Sequence, residues 1–259
     1  MAMMTRTEKD AIITTELLCK SYVSDGEVNN VIKNMSLSIY EKDFTVVMGC
    51  SGSGKSTLLY TLSGMIEATS GRINFGGNDI THMREKQMAA FRRDTLGFVF
   101  QGINLVPDLT VFENVISPSY GAKSDRAEVT KRAEELLARL EMSEHRRKFP
   151  HQLSGGQNQR TAICRALINS PEVIFADEPT GALNSAQGRS VLDIFTQLNR
   201  GGQSVVMVTH DLRAALRGNR IIYLRDGRID GELMLEPYDE STEDERESCV
   251  YEFLKKHGF

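Results

Sequence analysis

The sequence predicts an α/β fold in which a buried strand delivers a phosphate-binding loop to the start of a helix. Three observations carry this. First, Gly49-Cys50-Ser51-Gly52-Ser53-Gly54-Lys55-Ser56 matches G-x-x-x-x-G-K-[ST] at every fixed position. Second, an apolar run over residues 44–48 leads in, and residues 57–62, starting at Thr57, lead out with helical periodicity. Third, apolar runs over 95–100, 173–176 and 204–209 end at Gln101, Asp177 and His210. Strand ends are where α/β sheets place ligand contacts.

The residue types in the loop explain its chemistry. Glycines let successive backbone N–H groups turn inward around a phosphate, and the helix N-terminus adds partial positive charge. Lys55 is expected to reach the β- and γ-phosphates, and the Ser56 hydroxyl to ligate Mg²⁺. Asp177 at a strand end beside such a loop can hold Mg²⁺ directly or through water. Glu178, directly after it, can orient and deprotonate a water.

Composition narrows the class. With 259 residues, 40% hydrophobic and 25% charged, the chain can bury one large core or two closely packed lobes. A formal net charge of −4 argues against a nucleic-acid partner bound through a basic face. Four well-separated cysteines (Cys19, Cys50, Cys164, Cys249) form no C-x-x-C pair and read as the reduced thiols of a cytoplasmic protein. No apolar run approaches the roughly 18–20 residues needed to span a bilayer, and residues 1–10 lack the apolar centre of a signal peptide. Any membrane link is expected to come through a partner.

Taken in order, residues 11–18 and 31–39 read as strands, the second half-buried and antiparallel, with a turn over 23–30 between them. Tyr22 could stack on an adenine ring or serve in packing. A short strand over 71–75 and a helix over 83–92 follow. Residues 110–165 read as mainly helical. Within them 128–140 form an amphipathic surface helix, and His145-Arg146-Arg147-Lys148 reads as solvated surface, with phosphate binding as the lesser alternative. Ser154-Gly155-Gly156-Gln157 opens a helix reaching Asn169, either as a plain N-cap at Ser154 or as a set of unpaired N–H groups able to admit a phosphate. Residues 219–224 and 228–233 read as a closing hairpin around Arg225-Asp226-Gly227. An acidic tail from Glu236 ends in a helix, with a capping-box pattern Thr242-x-x-Glu245. Its apolar stripe, Val250, Phe253 and Leu254, suits docking on the domain or on a partner.

Together these motifs resemble the nucleotide-binding subunit of ATP-binding cassette (ABC) transporters, over about Ile12 to Leu233. The most specific element is Leu153-Ser154-Gly155-Gly156-Gln157, which other P-loop ATPases lack. The resemblance implies the RecA-like core sheet of a P-loop NTPase, a small antiparallel β subdomain and an inserted α-helical subdomain over about 102–165. The nucleotide-binding domain would span 1–235, with an acidic segment and helix over 236–259. It implies ATP and Mg²⁺ as cofactors: Tyr22 on adenine, the phosphate loop and Lys55 on the phosphates, and Ser56, Gln101 and Asp177 organising the metal. Glu178 would be the general base, and His210 would contact the γ-phosphate and the water. Ser154, Gly155 and Gly156 would close the ATP site of a second copy across a two-fold interface. An integral membrane permease would hold the subunit at the inner face of the cell membrane, through a surface over roughly 104–114.

The motifs look most like the branch for lipoprotein release, macrolide export, antimicrobial-peptide resistance and cell-division complexes, with the C-terminal helix closest to the peptide-resistance group. The implied work is export or extraction of a peptide, lipoprotein or drug; the alternative is a non-transporting regulator of a membrane complex. A DNA-repair ABC ATPase would carry a long coiled-coil insertion, and a ribosome-binding ABC factor would carry two cassettes and a basic linker; neither is present. One departure stands out. After Thr180-Gly181 the family usually has Leu-Asp, whereas here Ala182 and Leu183 lead to Asn184, which puts the coupling role of this loop in question.

Overall fold

The structure, a computed structural model, describes residues 11–24, 26–121 and 125–258. A six-stranded sheet, in the order β10-β9-β3-β8-β7-β6, forms the centre. Five of its strands run parallel: β3 (Phe44–Gly49), β6 (Leu96–Val99), β7 (Val173–Asp177), β8 (Ser204–Val208) and β9 (Arg220–Arg225). The closing hairpin is present, with β10 (Arg228–Met234) antiparallel to β9. Every residue of β3, β7 and β8 is buried, as expected for parallel strands covered on both faces.

Because side chains alternate across a strand, the sheet separates two apolar cores. Val46, Ile174, Val205 and Met207 face one, packed by α5 (Gly155–Leu167), α6 (Ser185–Arg200) and the C-terminal helix α8 (Glu243–Lys256). Val47, Phe175, Val206 and Val208 face the other, with α1 (Lys55–Leu62) and an antiparallel sheet ordered β2-β1-β4-β5. The latter is built from β1 (Ala11–Ser24), β2 (Glu27–Tyr40), β4 (Ser70–Phe75) and β5 (Asn78–Asp79). α2 (Glu85–Thr95), α3 (Val111–Ile116), α4 (Arg126–Arg139) and the short α7 (Leu212–Ala215) complete the chain.

Several expectations shift. The turn expected over 23–30 is narrower: β1 reaches Ser24 and β2 starts at Glu27, with pairs Tyr22↔Asn29, Val23↔Val28 and Ser24↔Glu27. Gly26, at φ 81°, supplies the left-handed residue that a tight hairpin connection needs. The helix expected over 83–92 runs over Glu85–Thr95, and the following strand is shortened to Leu96–Val99. The helix after Ser154 stops at Leu167. In the tail, Thr242 forms no capping box: its φ −114° and ψ 16° continue a 3-10 turn over Glu240–Thr242 directly into α8, and its hydroxyl donates to Asp239 O at 3.2 Å. The stripe on α8 docks on the domain, with Val250 and Leu254 buried in the core and Phe253 packed against it.

Candidate active site

Register brings the motif strands to one edge. Val47 pairs with Val208, Val208 with Asp177, and Ala176 with Val99, so the loops after β3, β8, β7 and β6 open on the same side. The phosphate loop leaves β3 at Gly49, φ 149°, where a Cβ would collide with the Leu224 carbonyl, so only glycine fits. Gly54 caps α1 in the left-handed region at φ 99°, packed against Val31 of β2. The β1–β2 hairpin therefore touches the loop. Tyr22 lies farther out on that hairpin, partly exposed, with Lys20 Nζ 4.9 Å from its ring centroid.

Lys55 Nζ donates to Gly49 O at 2.8 Å and Cys50 O at 2.9 Å. Burial pulls its pKa below the ordinary lysine value, opposed by the negative charge it faces, Glu178 first, then Cys50 and Asp177. One helical residue on, Ser56 Oγ donates to Asp177 Oδ1 at 2.9 Å. Asp177 is only 4% exposed, and its second oxygen accepts from Tyr60 Oη at 2.6 Å. Gln101 lies beside the next turn, its Nε2 3.4 Å from where a Cβ on Gly181 would stand.

Glu178 is held by its surroundings. Its φ of 45° is left-handed, a conformation costing a non-glycine residue about 1–3 kcal/mol. Backbone bonds from Glu178 N to Val208 O and from Gly181 N to Glu178 O, at 2.9 and 3.0 Å, fix that turn. The carboxylate accepts from His210 Nδ1 at 2.8 Å and from Thr209 Oγ1 at 3.2 Å. A carboxylate partner at Nδ1 sets the His210 tautomer and leaves Nε2 on the outer side of the ring. Thr209 Oγ1 in turn accepts from Asp211 N at 3.0 Å. The side chains differ in access: Glu178 is 13% exposed and His210 71%.

The Ser154 segment makes its contacts elsewhere. Ser154 caps α5 in a full capping box: its Oγ accepts from Gln157 N at 3.3 Å, and its N–H donates to Gln157 Oε1 at 2.9 Å. Gln157 Nε2 meets His145 Nε2 at 2.9 Å. Gly155 faces Leu183, just before α6, and Gly156 faces Gln187 of α6, where a Cβ on either glycine would lie 3.2 Å away. The basic run 145–148 is structural in part: Arg146 pairs with Glu134 at 2.7 Å and lies over the Phe112 ring.

Asn184 caps α6, its Oδ1 accepting from Gln187 N at 2.9 Å. An asparagine caps as well as an aspartate, so the departure leaves the local geometry intact. Asn184→Asp is expected to stabilise the chain by about 0.3–1 kcal/mol through the helix dipole, and Asn184→Ala to destabilise it by about 0.5–2 kcal/mol. Urea unfolding measures both.

Three positioning residues escape sequence reasoning. Thr209 orients Glu178, and Tyr60 binds Asp177. Arg165 donates to Ile103 O at 2.9 Å and Asn104 O at 2.6 Å, holding two consecutive left-handed residues, φ 62° and 51°, just after Gln101. Only Tyr60 had a local signal, its i+4 spacing from Ser56 on one helix face.

Residues 32–181, more than half of the chain, match the family described as ABC transporter. The chain is 43% identical over 203 residues to the lipoprotein-releasing system ATP-binding protein LolD of Aquifex aeolicus, covering 78% of this chain and 91% of that protein. It is 44% identical over 210 residues to the macrolide export ATP-binding/permease protein MacB of Shigella flexneri, covering 81% of this chain but 32% of that protein. This chain thus spans about a third of that larger relative. Among solved structures, the dimeric post-hydrolysis state of the ATP-binding cassette MJ0796, bound to ADP and Pi, superposes with a TM-score of 0.80 at 39% identity, covering 87% of this chain and 100% of that one. The chain belongs to the ABC transporter family, as an ATP-binding and ATP-hydrolysing cassette.

Proposed function

We propose that this cassette drives a membrane permease in export or extraction of a peptide, lipoprotein or drug, hydrolysing ATP in a head-to-tail homodimer. The observation that carries the catalytic reading is Glu178, pinned in a strained turn at the sheet edge that also holds the phosphate loop. In this reading backbone N–H groups of residues 49–57 and Lys55 hold the phosphates, and Tyr22 stacks on adenine. Water attacks the γ-phosphorus, Glu178 takes its proton, and the bond to the bridging oxygen of ADP breaks. Thr209 and His210 hold the carboxylate in line, and His210 presents its outer nitrogen to the γ-phosphate.

Ser56, Asp177 and Gln101 offer a hydroxyl, a carboxylate and an amide oxygen. Among the described residues no cluster of three His, Cys, Asp or Glu could hold a metal by itself. That donor set suits Mg²⁺, which is commonly held by one or two protein oxygens together with substrate phosphates and waters. When bound, the ion would neutralise charge on the β- and γ-phosphates.

Ser154, Gly155, Gly156 and Gln157 make their hydrogen bonds and packing contacts within the helical half and α6. The N–H groups of Gly155 and Gly156, together with the Ser154 hydroxyl, are therefore assigned to the γ-phosphate of a second copy. Among the described residues no helix is long and apolar enough to cross a membrane, so attachment at the inner membrane face would run through the permease, against residues 104–114. The unit so used comprises 1–235, with 102–165 as its helical part and 236–259 as an appended segment. The lipoprotein-release and macrolide-export names of the relatives support this branch.

The test is a Glu178→Gln chain with ATP, sized by light scattering and then used to capture partners from detergent-solubilised native membranes. An ATP-dependent dimer that recovers an integral membrane protein is expected. A monomer at saturating ATP would remove the two-copy site, and recovery of soluble partners alone would remove the permease.

A further inference from the structure

Asp177 is gripped at both oxygens from one helix face. Ser56 and Tyr60 are one turn apart on α1, so their side chains point the same way. Ser56 Oγ takes Oδ1 at 2.9 Å, and Tyr60 Oη takes Oδ2 at 2.6 Å. The Tyr60 ring is itself fixed: its centroid is 5.7 Å from that of Phe98, which lies 4.3 Å from Phe100 and stacks at 6.2 Å on Phe175. This aromatic row runs beneath the ends of β6 and β7 and stops at Phe100, one residue before Gln101. Asp177, bonded to Tyr60, and Gln101, next in sequence to Phe100, thus both adjoin one packed aromatic support.

We propose that Tyr60 is a positioning residue for the divalent cation: by holding the outer oxygen of Asp177, it presents the inner oxygen beside Ser56 in the orientation the ion requires. This rests on the assignment of Mg²⁺ to Ser56 and Asp177. A carboxylate with a free outer oxygen can rotate about its terminal torsion, which is broad and roughly two-fold. The Tyr60 bond removes that freedom, as outer-shell hydrogen bonds do for metal-binding side chains.

Tyr60→Phe keeps the ring on Phe98 and deletes only the donor. The full chain and this variant are each loaded with a non-hydrolysable ATP analogue, and Mn²⁺ is titrated with the free ion followed by electron paramagnetic resonance. Nucleotide affinity is measured separately in EDTA, and a thermal melt confirms the fold. The expected result is Mn²⁺ affinity weakened by about 10-fold or more, with metal-free nucleotide affinity unchanged. Equal Mn²⁺ affinity in the two proteins overturns the role of Tyr60 and leaves the metal assignment standing. Loss of metal-free nucleotide binding in the variant also overturns it, because the hydroxyl would then serve the loop rather than the ion. Absence of nucleotide-dependent Mn²⁺ binding in the unmodified chain overturns the metal assignment itself.

Discussion

Glu178→Gln is expected to lower ATP turnover by about 10²- to 10⁴-fold, the usual range for removal of a general base, while ATP binding persists. The substitution is close to isosteric. The amide oxygen can still accept from His210 Nδ1, and the amide nitrogen can donate to Thr209 Oγ1, so the left-handed turn and its bonds to Val208 and Gly181 need not change. Only proton acceptance is lost. Phosphate release at saturating ATP measures the rate, and equilibrium binding of a fluorescent ATP analogue measures affinity. A loss of turnover under about threefold would show that another group takes the proton, since even the low end of the range is about 10²-fold. Weakened binding in parallel would point instead to a role for Glu178 in holding the loop, because turnover and affinity separate only when an interaction acts in the transition state.

The parts of this site that are legible in the sequence are those whose signal is local. The phosphate loop is eight consecutive residues between a strand and a helix, and Asp177, His210 and Gln101 each end an apolar run. Parallel registration then brings these ends together whatever the intervening lengths. What sequence does not reveal is which side chain supports which. Tyr60 and Asp177 are 117 residues apart, Arg165 and Ile103 62, and Glu178 and Thr209 31. No periodicity links such pairs; they meet only because α1, α5 and β8 are packed around one sheet edge. The capping pattern at Thr242 fails for a related reason. Its spacing is correct, but an N-cap needs extended backbone, and the turn before it is already helical. Asn184 shows the reverse: a departure from the family pattern whose structural role survives, since its side chain still caps α6.

The second large effect is expected at Arg246, on α8. Arg246 is 7% exposed, and its guanidinium donates to the carbonyls of Leu216 at 2.5 Å, Glu236 at 2.7 Å and Gly218. Those carbonyls lie at the end of α7, before β9 and after β10, so one side chain ties α8 to the segment that follows the His210 loop. Burial lowers the guanidinium pKa, with Tyr238 and Cys249 opposing, yet an arginine stays charged. Deleting it leaves three carbonyls without this donor, at about 1–3 kcal/mol for each buried group that stays unpaired. Arg246→Ala is therefore expected to cost about 3 kcal/mol or more, which for a chain of this size lowers the melting temperature by roughly 6–12 °C. Arg246→Lys should recover only part of this, because an ammonium cannot match the planar fork of three donors. The loss has a second consequence at the other end of α8. There His257 Nδ1 meets Asp230 Oδ2 at 2.8 Å, and its ring covers Gly231, where a Cβ would collide with it. The same ring lies 5.7 Å from that of Tyr223, whose hydroxyl is 3.5 Å from Cys50 Sγ in the phosphate loop. Undocking α8 thus uncovers the underside of the nucleotide site, and ATP should restore stability to Arg246→Ala by mass action, as any ligand of the folded state does. A melting temperature of the variant within about 2 °C of the unmodified chain, a shift worth under roughly 1 kcal/mol, would mean that water satisfies the three carbonyls and that α8 is held by Val250 and Leu254 alone.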